Sequence, residues 1–332
     1  MEPILASKRI RVIGAGVNGL WCAIRLLESG YCNVTLISKS WSPFLTSNVA
    51  VGVWEPYHSG DEQDPKLIQS WSTSSWDHLL RLKLKYGEIE TGIQLVSGFK
   101  PFREATEDPW WKDLVFNYRV LNDEHKLKLG YEDFQYVSFH TTLIVDTTQY
   151  LRFSLERFKS LGGKTETRQI TSLAEVSRDC DMVINCTGLG SYHLCGDHTL
   201  TPIRGQLVLV RYSQLRHWSI HDDFYYIFPR RNAVILGGTF TEGDWNTEIS
   251  QADTDDIIAK CTKCFPDLKH CDILGSRVGL RPGRPSVRVE LERTSFGPIV
   301  HNYGHGGIGV TLHFGCAINV VDIVNDELAE RH

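Results

Sequence analysis

The chain has 332 residues, 42% of them hydrophobic and 23% charged, with a formal net charge of −5 at pH 7. These values are typical of a globular protein with one large or two ordinary domains, and they give no electrostatic argument for a nucleic-acid partner. No apolar run approaches the roughly 18 residues that cross a bilayer, so the sequence predicts no membrane partner.

The start of the chain and its nine cysteines favour an intracellular protein. The apolar stretch 10–22 is broken by an arginine and three glycines, and no small-residue cleavage site follows, so a signal peptide is not predicted. Reduced thiols are then the better interpretation of the cysteines. Cys261, Cys264, His270 and Cys271 match no standard zinc-finger spacing, and we predict no metal site.

A glycine-rich turn joins the first predicted strand to the first predicted helix. Residues 9–13 predict a buried strand, 17–29 an amphipathic helix and 33–37 a second strand, with the glycine turn (residues 14–19, GAGVNG) between the first two. In this context the three glycines permit a tight turn, approach of the backbone to a pyrophosphate, and close packing of helix on strand. The helix N-terminus then offers free N–H groups, so the sequence predicts a dinucleotide site.

The end of the second strand leaves the identity of the dinucleotide open. This strand ends Ile37-Ser38-Lys39, without the carboxylate that usually holds a ribose hydroxyl. Ser38 can still hydrogen-bond a ribose, and Lys39 is compatible with the 2′-phosphate of NADP. NAD, NADP and FAD all remain open on this turn alone.

Later segments repeat the same pattern. Residues 45–56 are expected to run beneath a cofactor with hydroxyls facing its phosphates, and 181–190 predict a buried strand that enters a glycine turn. Residues 298–311 predict a strand and a glycine loop that bring a further helix N-terminus to the cofactor. Apolar periodicity predicts helices over 65–86, 148–160, 252–264 and 311–327, and β-prone runs predict an antiparallel sheet from 206–210, 224–228 and 233–236.

Seven short stretches spread over nearly the whole chain resemble a known family. They are residues 12–17 (VIGAGV), 46–52 (TSNVAVG), 185–188 (NCTG), 204–206 (RGQ), 237–239 (GGT), 279–282 (GLRP) and 301–307 (HNYGHGG). In content and order this set is similar to the D-amino-acid oxidase and D-aspartate oxidase family of flavoproteins. The last two stretches are the most specific.

The resemblance implies an α/β fold with a discontinuous, Rossmann-like FAD-binding domain (1–56, 145–200 and 275–332) and a mixed-sheet α+β substrate domain (57–144 and 201–274). It implies FAD as cofactor and oxidation of a D-amino acid to its imine. Oxygen would reoxidise the flavin to give hydrogen peroxide, and the imine would hydrolyse to a 2-oxo acid and ammonia. A cytoplasmic or peroxisomal location is implied, although the chain does not end in the Ser-Lys-Leu address. A homodimer is left open.

The resemblance also assigns site residues. Arg281 would bind the substrate α-carboxylate through its guanidinium fork, with Tyr226 as a second contact. The carbonyl of Gly307 would accept a hydrogen bond from the substrate amine. No side-chain acid or base is implied if hydride leaves directly from a neutral amine. The implied flavin contacts are Gly14, Gly16, Gly19, Ser38, Thr46, Ser47, Gly52, Val53, Ile170, Thr187, Gly188, Gly306, Gly307, Ile308, Gly309, Val310 and Thr311.

Most of the family-like stretches favour an acidic substrate, whereas the residues expected in the substrate pocket are ambiguous. Residues 186–191 with Gly196-Asp197, 243–246 and 281–288 are more similar to D-aspartate oxidase, and 301–311 to D-amino-acid oxidase. On balance we predict D-aspartate, with neutral or basic D-amino acids as the alternative.

An acidic side chain would need a second cation in the pocket. Where the D-aspartate form of the family has an arginine, this chain has Phe240. The segment between Arg204 and Tyr226, where the resemblance implies a lid, offers Arg216, His217 or His221. Of these, His221 is nearest by spacing and would serve if protonated at mildly acidic pH. Glu55 would repel D-aspartate if it lies near the substrate side chain.

Two other functional classes remain open. Another FAD amine oxidase, such as a glycine or sarcosine oxidase, would share the glycine turn, but residues 301–307 argue against it. A flavin-binding protein without turnover would have no use for the substrate clamp formed by Arg281 and Tyr226.

Overall fold

The computed structural model describes residues 6–57, 60, 62–222 and 225–329. Contacts divide the chain into two compact units. Unit 1 comprises Met1–Ile93, Asp146–Pro202 and Arg281–His332, and unit 2 comprises Gln94–Val145 and Ile203–Leu280. Phe224 of the predicted strand 224–228 and the last three residues of the C-terminus lie outside the described residues.

The described residues form strands and helices that are numbered separately in chain order. The strands are β1 (Arg9–Ile13), β2 (Asn33–Ser38), β3 (Ile93–Phe102), β4 (Phe116–Val120), β5 (Tyr136–Val145), β6 (Lys164–Thr167), β7 (Met182–Asn185), β8 (Thr201–Arg211), β9 (Trp218–His221), β10 (Tyr225–Pro229), β11 (Val234–Gly237), β12 (Thr241–Glu242), β13 (Asp272–Gly283), β14 (Arg288–Thr294) and β15 (Gly297–Tyr303). The helices are α1 (Val17–Glu28), α2 (Thr46–Val49), α3 (Pro65–Thr91), α4 (Asp123–Leu129), α5 (Thr147–Ser160), α6 (Leu173–Ser177), α7 (Ser191–Leu194), α8 (Gln251–Cys264) and α9 (Gly309–Ala329).

Unit 1 contains a six-stranded sheet in the order β14-β15-β7-β1-β2-β6. β1 pairs in parallel with β2 and β7, β7 with β15, and β2 with β6, whereas β14 pairs antiparallel with β15. The central strands are almost entirely buried because their Val, Ile and Leu side chains face neighbours on both sides of the sheet. The predicted strand–helix–strand start of the chain is confirmed.

Helix α3 packs within unit 1, whereas residues 57–144 are expected in the substrate domain. The Trp71 indole donates to Asn319 of α9, and Ser75 Oγ accepts the backbone N–H groups of Phe314 and Gly315, each at 3.1 Å. A Cβ on Gly315 would collide with the Trp71 backbone, so glycine permits the close approach of the two helices. The prediction ended α3 at residue 86. Gly87 indeed has a non-helical φ of 80°, but helix resumes and continues to Thr91.

Unit 2 contains a nine-stranded mixed sheet, in the order β12-β8-β11-β10-β9-β3-β5-β4 with β13 paired to β8. β8, β11, β10 and β9 pair antiparallel, as the sequence predicts for the first three, whereas β3 and β9 pair in parallel. Ile257 and Cys261 of α8 pack on Val208 and Leu236 to form a buried apolar cluster. The fold class, α/β with a second mixed-sheet α+β part, is confirmed.

In the described ranges, no helix combines the length and the apolar character that crossing a bilayer requires.

Candidate cofactor and substrate site

The predicted cofactor residues lie where the parallel strands of unit 1 end. Because β2, β1, β7 and β15 run in parallel, the segments that leave their carboxyl ends emerge on one edge of the sheet. Those segments begin at Gly14, Lys39, Cys186 and Gly304. In open α/β sheets this edge is where ligands bind.

The glycine turn is too tight for any other residue at two of its positions. Gly14 has a φ of +105°, and its N–H donates to the carbonyl of Ile37 at 2.8 Å. A Cβ on Gly19 would collide with the Gly14 carbonyl, and a Cβ on Gly14 would collide with the Cys186 carbonyl. The turn is therefore pressed against the end of β7, as a dinucleotide fingerprint requires.

The N-termini of α1 and α9 are both suited to bind an anion. Neither helix has an acidic residue in its first turn, so the positive end of each dipole is not offset there. Ser47 Oγ accepts the N–H of Val17 at 3.2 Å, which brings the predicted residue Ser47 to the glycine turn. A Cβ on Gly16 would lie 3.2 Å from the same hydroxyl, so the space beside Gly16 is narrow. Thr46, the neighbouring predicted contact, is exposed.

Two buried polar atoms beside this turn have no hydrogen-bond partner among the described residues: Asn18 Oδ1 and His305 Nε2. The Asn18 amide nitrogen lies 3.4 Å from the other ring nitrogen, His305 Nδ1. Burial lowers the pKa of His305 to about 3, so the ring is neutral. Leaving such atoms unsatisfied is costly, and a bound dinucleotide would supply the missing partners. The residues present therefore fit the cofactor that the glycine turn predicts.

Thr187, another predicted contact, is held by a buried hydrogen-bond network. Its hydroxyl donates to Asn185 Oδ1 at 2.8 Å, and Asn185 Nδ2 donates to His301 Nδ1 at 3.1 Å. His301 Nε2 in turn meets Glu292 Oε2 at 2.9 Å. Gly188 follows with a φ of +56°, so the chain turns sharply after Thr187.

The remaining predicted flavin contacts differ in what their side chains do. The Ser38 hydroxyl donates to the Ser40 carbonyl at 2.6 Å, so only its lone pairs remain for a ribose. Thr311 Oγ1 hydrogen-bonds the Glu55 N–H and carbonyl at 3.4 and 3.3 Å, joining the segment of Gly52 (φ +76°) and Val53 to the first turn of α9. Three apolar side chains pack into the core or against it and leave mainly their backbone for a ligand: Ile170, Ile308 and Val310.

Arg281, Gly307 and Tyr57 lie together in unit 1. Gly307 is exposed, and a Cβ on it would collide with the Tyr57 hydroxyl and lie 3.5 Å from Cδ of Arg281. The N–H of Gly306 donates to the carbonyl of Pro282 at 2.8 Å, which holds the two predicted substrate segments together. Sequence reasoning missed Tyr57. Its only signal is that it directly follows the predicted cofactor segment 45–56.

Tyr226 occupies β10 of unit 2, opposite Gly237 on β11 and Ile220 on β9. Its ring lies over Gly237 and Gly238, where a Cβ on either glycine would collide with the ring or its hydroxyl. The pair of glycines before Thr239 is thus required to accommodate this tyrosine. Tyr226 itself is half-buried.

His221, the candidate for a second cation if protonated, lies in a buried environment. It is 1% exposed, and its ring stacks on Tyr225. Nε2 hydrogen-bonds Ser219 Oγ at 2.7 Å, and Nδ1 lies 3.5 Å from Cys264 Sγ. Burial lowers the pKa of His221 to about 4, so the ring is neutral at mildly acidic pH.

Arg204 and Phe240 were also considered in the sequence, and the structure describes the surroundings of both. Arg204 is 4% exposed and pairs with Asp253 at 2.7 Å, while it also donates to the carbonyls of Asn246 and Glu248. It therefore fixes the loop before α8 and has a structural role. Phe240, which takes the place of the arginine that the resemblance implies for an acidic substrate, is 54% exposed.

All nine cysteines lie in the described ranges and are free thiols. Among the described residues, no group of three His, Cys, Asp or Glu side chains is placed to hold a metal ion.

A mostly parallel sheet with a glycine turn at its carboxyl edge, joined in one chain to a mixed sheet, defines a dinucleotide-binding α/β architecture. Residues 9–323 match the family described as FAD dependent oxidoreductase. The chain is 36% identical to a D-amino-acid oxidase of Rubrobacter xylanophilus, over 93% of each chain. It is 34% identical to the human D-aspartate oxidase, over 96% of this chain and 95% of the relative.

The chain therefore belongs to the D-amino-acid oxidase and D-aspartate oxidase family of FAD-dependent oxidoreductases, and its cofactor is FAD. The crystal structure of a glycine oxidase from Geobacillus kaustophilus superposes with a TM-score of 0.78 over 96% of this chain and 95% of that chain, at 17% identity. At that identity the likeness concerns the fold alone. The family resemblance and the cofactor inferred from sequence are confirmed.

Proposed function

We propose that the protein oxidises D-amino acids, with oxygen as the final acceptor, to 2-oxo acids, ammonia and hydrogen peroxide. The observation that carries the proposal is the placement of Arg281 beside the exposed Gly307, directly before the N-terminus of α9. A guanidinium and a backbone carbonyl complement the carboxylate and the amine of an amino acid. The names of the relatives, D-amino-acid oxidase and D-aspartate oxidase, point to the same substrate class.

Each residue has a positioning task in this proposal. Arg281 binds the α-carboxylate, and the Gly307 carbonyl accepts a hydrogen bond from the amine. Two of the groups attached to the substrate Cα are therefore held in place. Tyr226 is proposed as a second carboxylate donor from the family resemblance alone. FAD, when bound, supplies the hydride acceptor, and the protein's contribution is to orient the Cα–H bond. No side-chain acid or base is required.

We propose unit 1 as the FAD-binding domain and unit 2 as the substrate-binding domain. The glycine turn, Ser47, Thr187 and the N-termini of α1 and α9 would then hold the pyrophosphate and ribose parts of the cofactor. The backbone N–H groups of residues 309–311, at the N-terminus of α9, would stabilise negative charge on the reduced ring. A cytoplasmic or peroxisomal location is proposed as well, with the nine free thiols in support.

We propose neutral D-amino acids as the preferred substrates, in place of the D-aspartate expected from most of the family-like stretches. The second cation that an acidic side chain needs is not supplied by His221, because the ring is buried, neutral and engaged at both nitrogens. Phe240 offers an apolar surface instead. An unpaired carboxylate in such surroundings would lose much of its hydration.

The test is a peroxide-coupled assay with D-alanine, D-aspartate and D-arginine. We expect D-alanine to be oxidised with a higher kcat/KM than D-aspartate. A clear preference for D-aspartate would contradict the proposed specificity and leave the proposed reaction intact. A yellow protein that makes no peroxide with any of the three would contradict the reaction itself.

A further inference from the structure

The Asp197 carboxylate joins three segments of unit 1. Asp197 lies in the loop after α7, and its side chain is 8% exposed. Asp197 Oδ2 accepts from Arg284 Nε at 3.0 Å and from the Tyr303 hydroxyl at 2.9 Å, while Oδ1 accepts from the Thr199 N–H at 3.1 Å. Burial by itself would raise the pKa of Asp197, but the hydrogen bonds from Thr199, Tyr303 and Arg284 lower it to about 2. The carboxylate is therefore ionised at any working pH.

Arg284 connects this carboxylate to the loop that carries Gly307. Its Nη1 donates to the Ser286 carbonyl at 2.8 Å, so the guanidinium is fixed at two points. Its aliphatic stem lies against Gly304, which has a φ of +84° and whose Cβ would stand 2.8 Å from Arg284 Cδ. Gly304 directly follows Tyr303, the other partner of Asp197.

The clamp turn, residues 281–287, is held along its length. The Pro282 carbonyl accepts from the Gly306 N–H at 2.8 Å, and the Pro285 carbonyl accepts from the Glu62 N–H at 3.0 Å. The Val287 N–H donates to Gln63 Oε1 at 2.6 Å. Within this set, the bond from Arg284 to Asp197 is the ion pair, and charge-assisted hydrogen bonds with good geometry are the stronger ones.

We propose that Asp197 and Arg284 are positioning residues that hold the Arg281 guanidinium in register with the Gly307 carbonyl. The inference rests on the proposed function, because it assigns Arg281 to the substrate carboxylate. Arg284 is three residues from Arg281 in the clamp turn, and its stem touches the loop that ends at Gly307. Loss of the ion pair lets the clamp turn move relative to that loop, which misplaces the carboxylate but not the cofactor.

The test compares Asp197→Asn with the wild-type holoenzyme. Propionate, which has the carboxylate of D-alanine and no amine, is titrated into the protein and followed by the change in flavin absorbance. We expect Asp197→Asn to raise both the Kd for propionate and the KM for D-alanine by more than about tenfold, because the group that binds the carboxylate is misplaced. We expect kcat to change by less than about twofold, and the Kd for FAD to stay unchanged, because no cofactor contact is lost.

Asp181→Asn is the matched control, since Asp181 accepts the Arg9 N–H at 2.7 Å at the far end of β1 in the same unit. We expect Asp181→Asn to leave the Kd for propionate and the KM for D-alanine unchanged.

If Asp197→Asn does not fold, Arg284→Lys is the second variant, because it keeps the positive charge and loses the two hydrogen bonds that fix the guanidinium. Arg284→Lys should also weaken the binding of propionate. An unchanged propionate Kd in the folded variant, or an equal loss of FAD, would overturn the inference. If the wild type binds propionate but makes no peroxide from any D-amino acid, the proposed reaction fails while the positioning role stands.

Discussion

Tyr57 fills the space beside Gly307. A Cβ on Gly307 would collide with the Tyr57 hydroxyl, and Arg281 Cδ lies on the same side. The absence of a side chain at Gly307 therefore lets a tyrosine and an arginine from distant parts of the sequence approach the residue whose carbonyl we assign to the substrate amine.

Gly307→Ala should lower kcat/KM for D-alanine strongly, by about a hundredfold, because the methyl group displaces Tyr57 and the carbonyl with it. The double variant Gly307→Ala with Tyr57→Phe should recover part of the loss, since the nearest clash is with the hydroxyl, while the ring carbon Cζ would still lie 2.8 Å away. Steady-state kinetics and the FAD content of each variant measure this. Equal activity of the single and double variants would argue against the steric explanation.

Arg281→Met should lower kcat/KM for D-alanine by about a hundredfold or more, because removal of one partner of a hydrogen-bonded charge pair costs about 2–5 kcal/mol. Arg281→Lys should keep part of the activity, since it retains charge without the bidentate fork. Arg9→Met, at the amino end of β1, serves as the control. An Arg281→Met enzyme with the wild-type KM would show that the carboxylate binds elsewhere.

Sequence patterns predicted the elements that have strong local signals. α1, α5 and α8 have apolar faces at helical spacing, and the glycine turn has its strand and helix at the expected places. β3 was missed because Gly98 and Pro101 suggest a break within it. Gly98 is in fact required by packing, since a Cβ there would collide with the Trp218 ring.

The sequence indicated only those residues of the candidate site that stand in a recognisable local pattern. Arg281 and Gly307 stand in distinctive motifs, but Tyr57 has no local pattern, and both Tyr57 and Asp197 acquire their partners only through the fold. The burial of His221 and its lowered pKa could not be foreseen, because spacing along the chain carries no information on burial.

His221 should make the stability of the fold depend on pH between about 6.5 and 4, its ordinary and folded pKa values. In this window the unfolded chain binds the proton and the folded chain does not, so stability is fully present above pH 6.5 and is lost as the pH falls. The shift corresponds to a loss of about 3 kcal/mol. Chemical denaturation of wild type and His221→Gln at pH 7 and pH 4.5 should show a smaller pH-dependent loss in the variant. Equal losses in both proteins would refute the assignment of a buried, neutral ring.

Glu55→Gln should raise the kcat/KM for D-aspartate relative to D-alanine by about tenfold, the scale of removing a nearby like charge. Glu55 is 4% exposed, and Thr311 holds its backbone at the first turn of α9. Glu156→Gln, which removes an exposed carboxylate on α5, is the control. An unchanged ratio would place the Glu55 carboxylate away from the substrate side chain.

The central claim is that a D-amino acid, held through Arg281, reduces the flavin of this protein. The most direct measurement mixes the FAD-loaded enzyme with D-alanine or L-alanine in the absence of oxygen and follows the visible flavin absorbance. We expect D-alanine to bleach the flavin, L-alanine to leave it unchanged, and Arg281→Met to require a much higher D-alanine concentration. A flavin that no D-amino acid bleaches, or that both enantiomers of alanine bleach equally, would contradict the account.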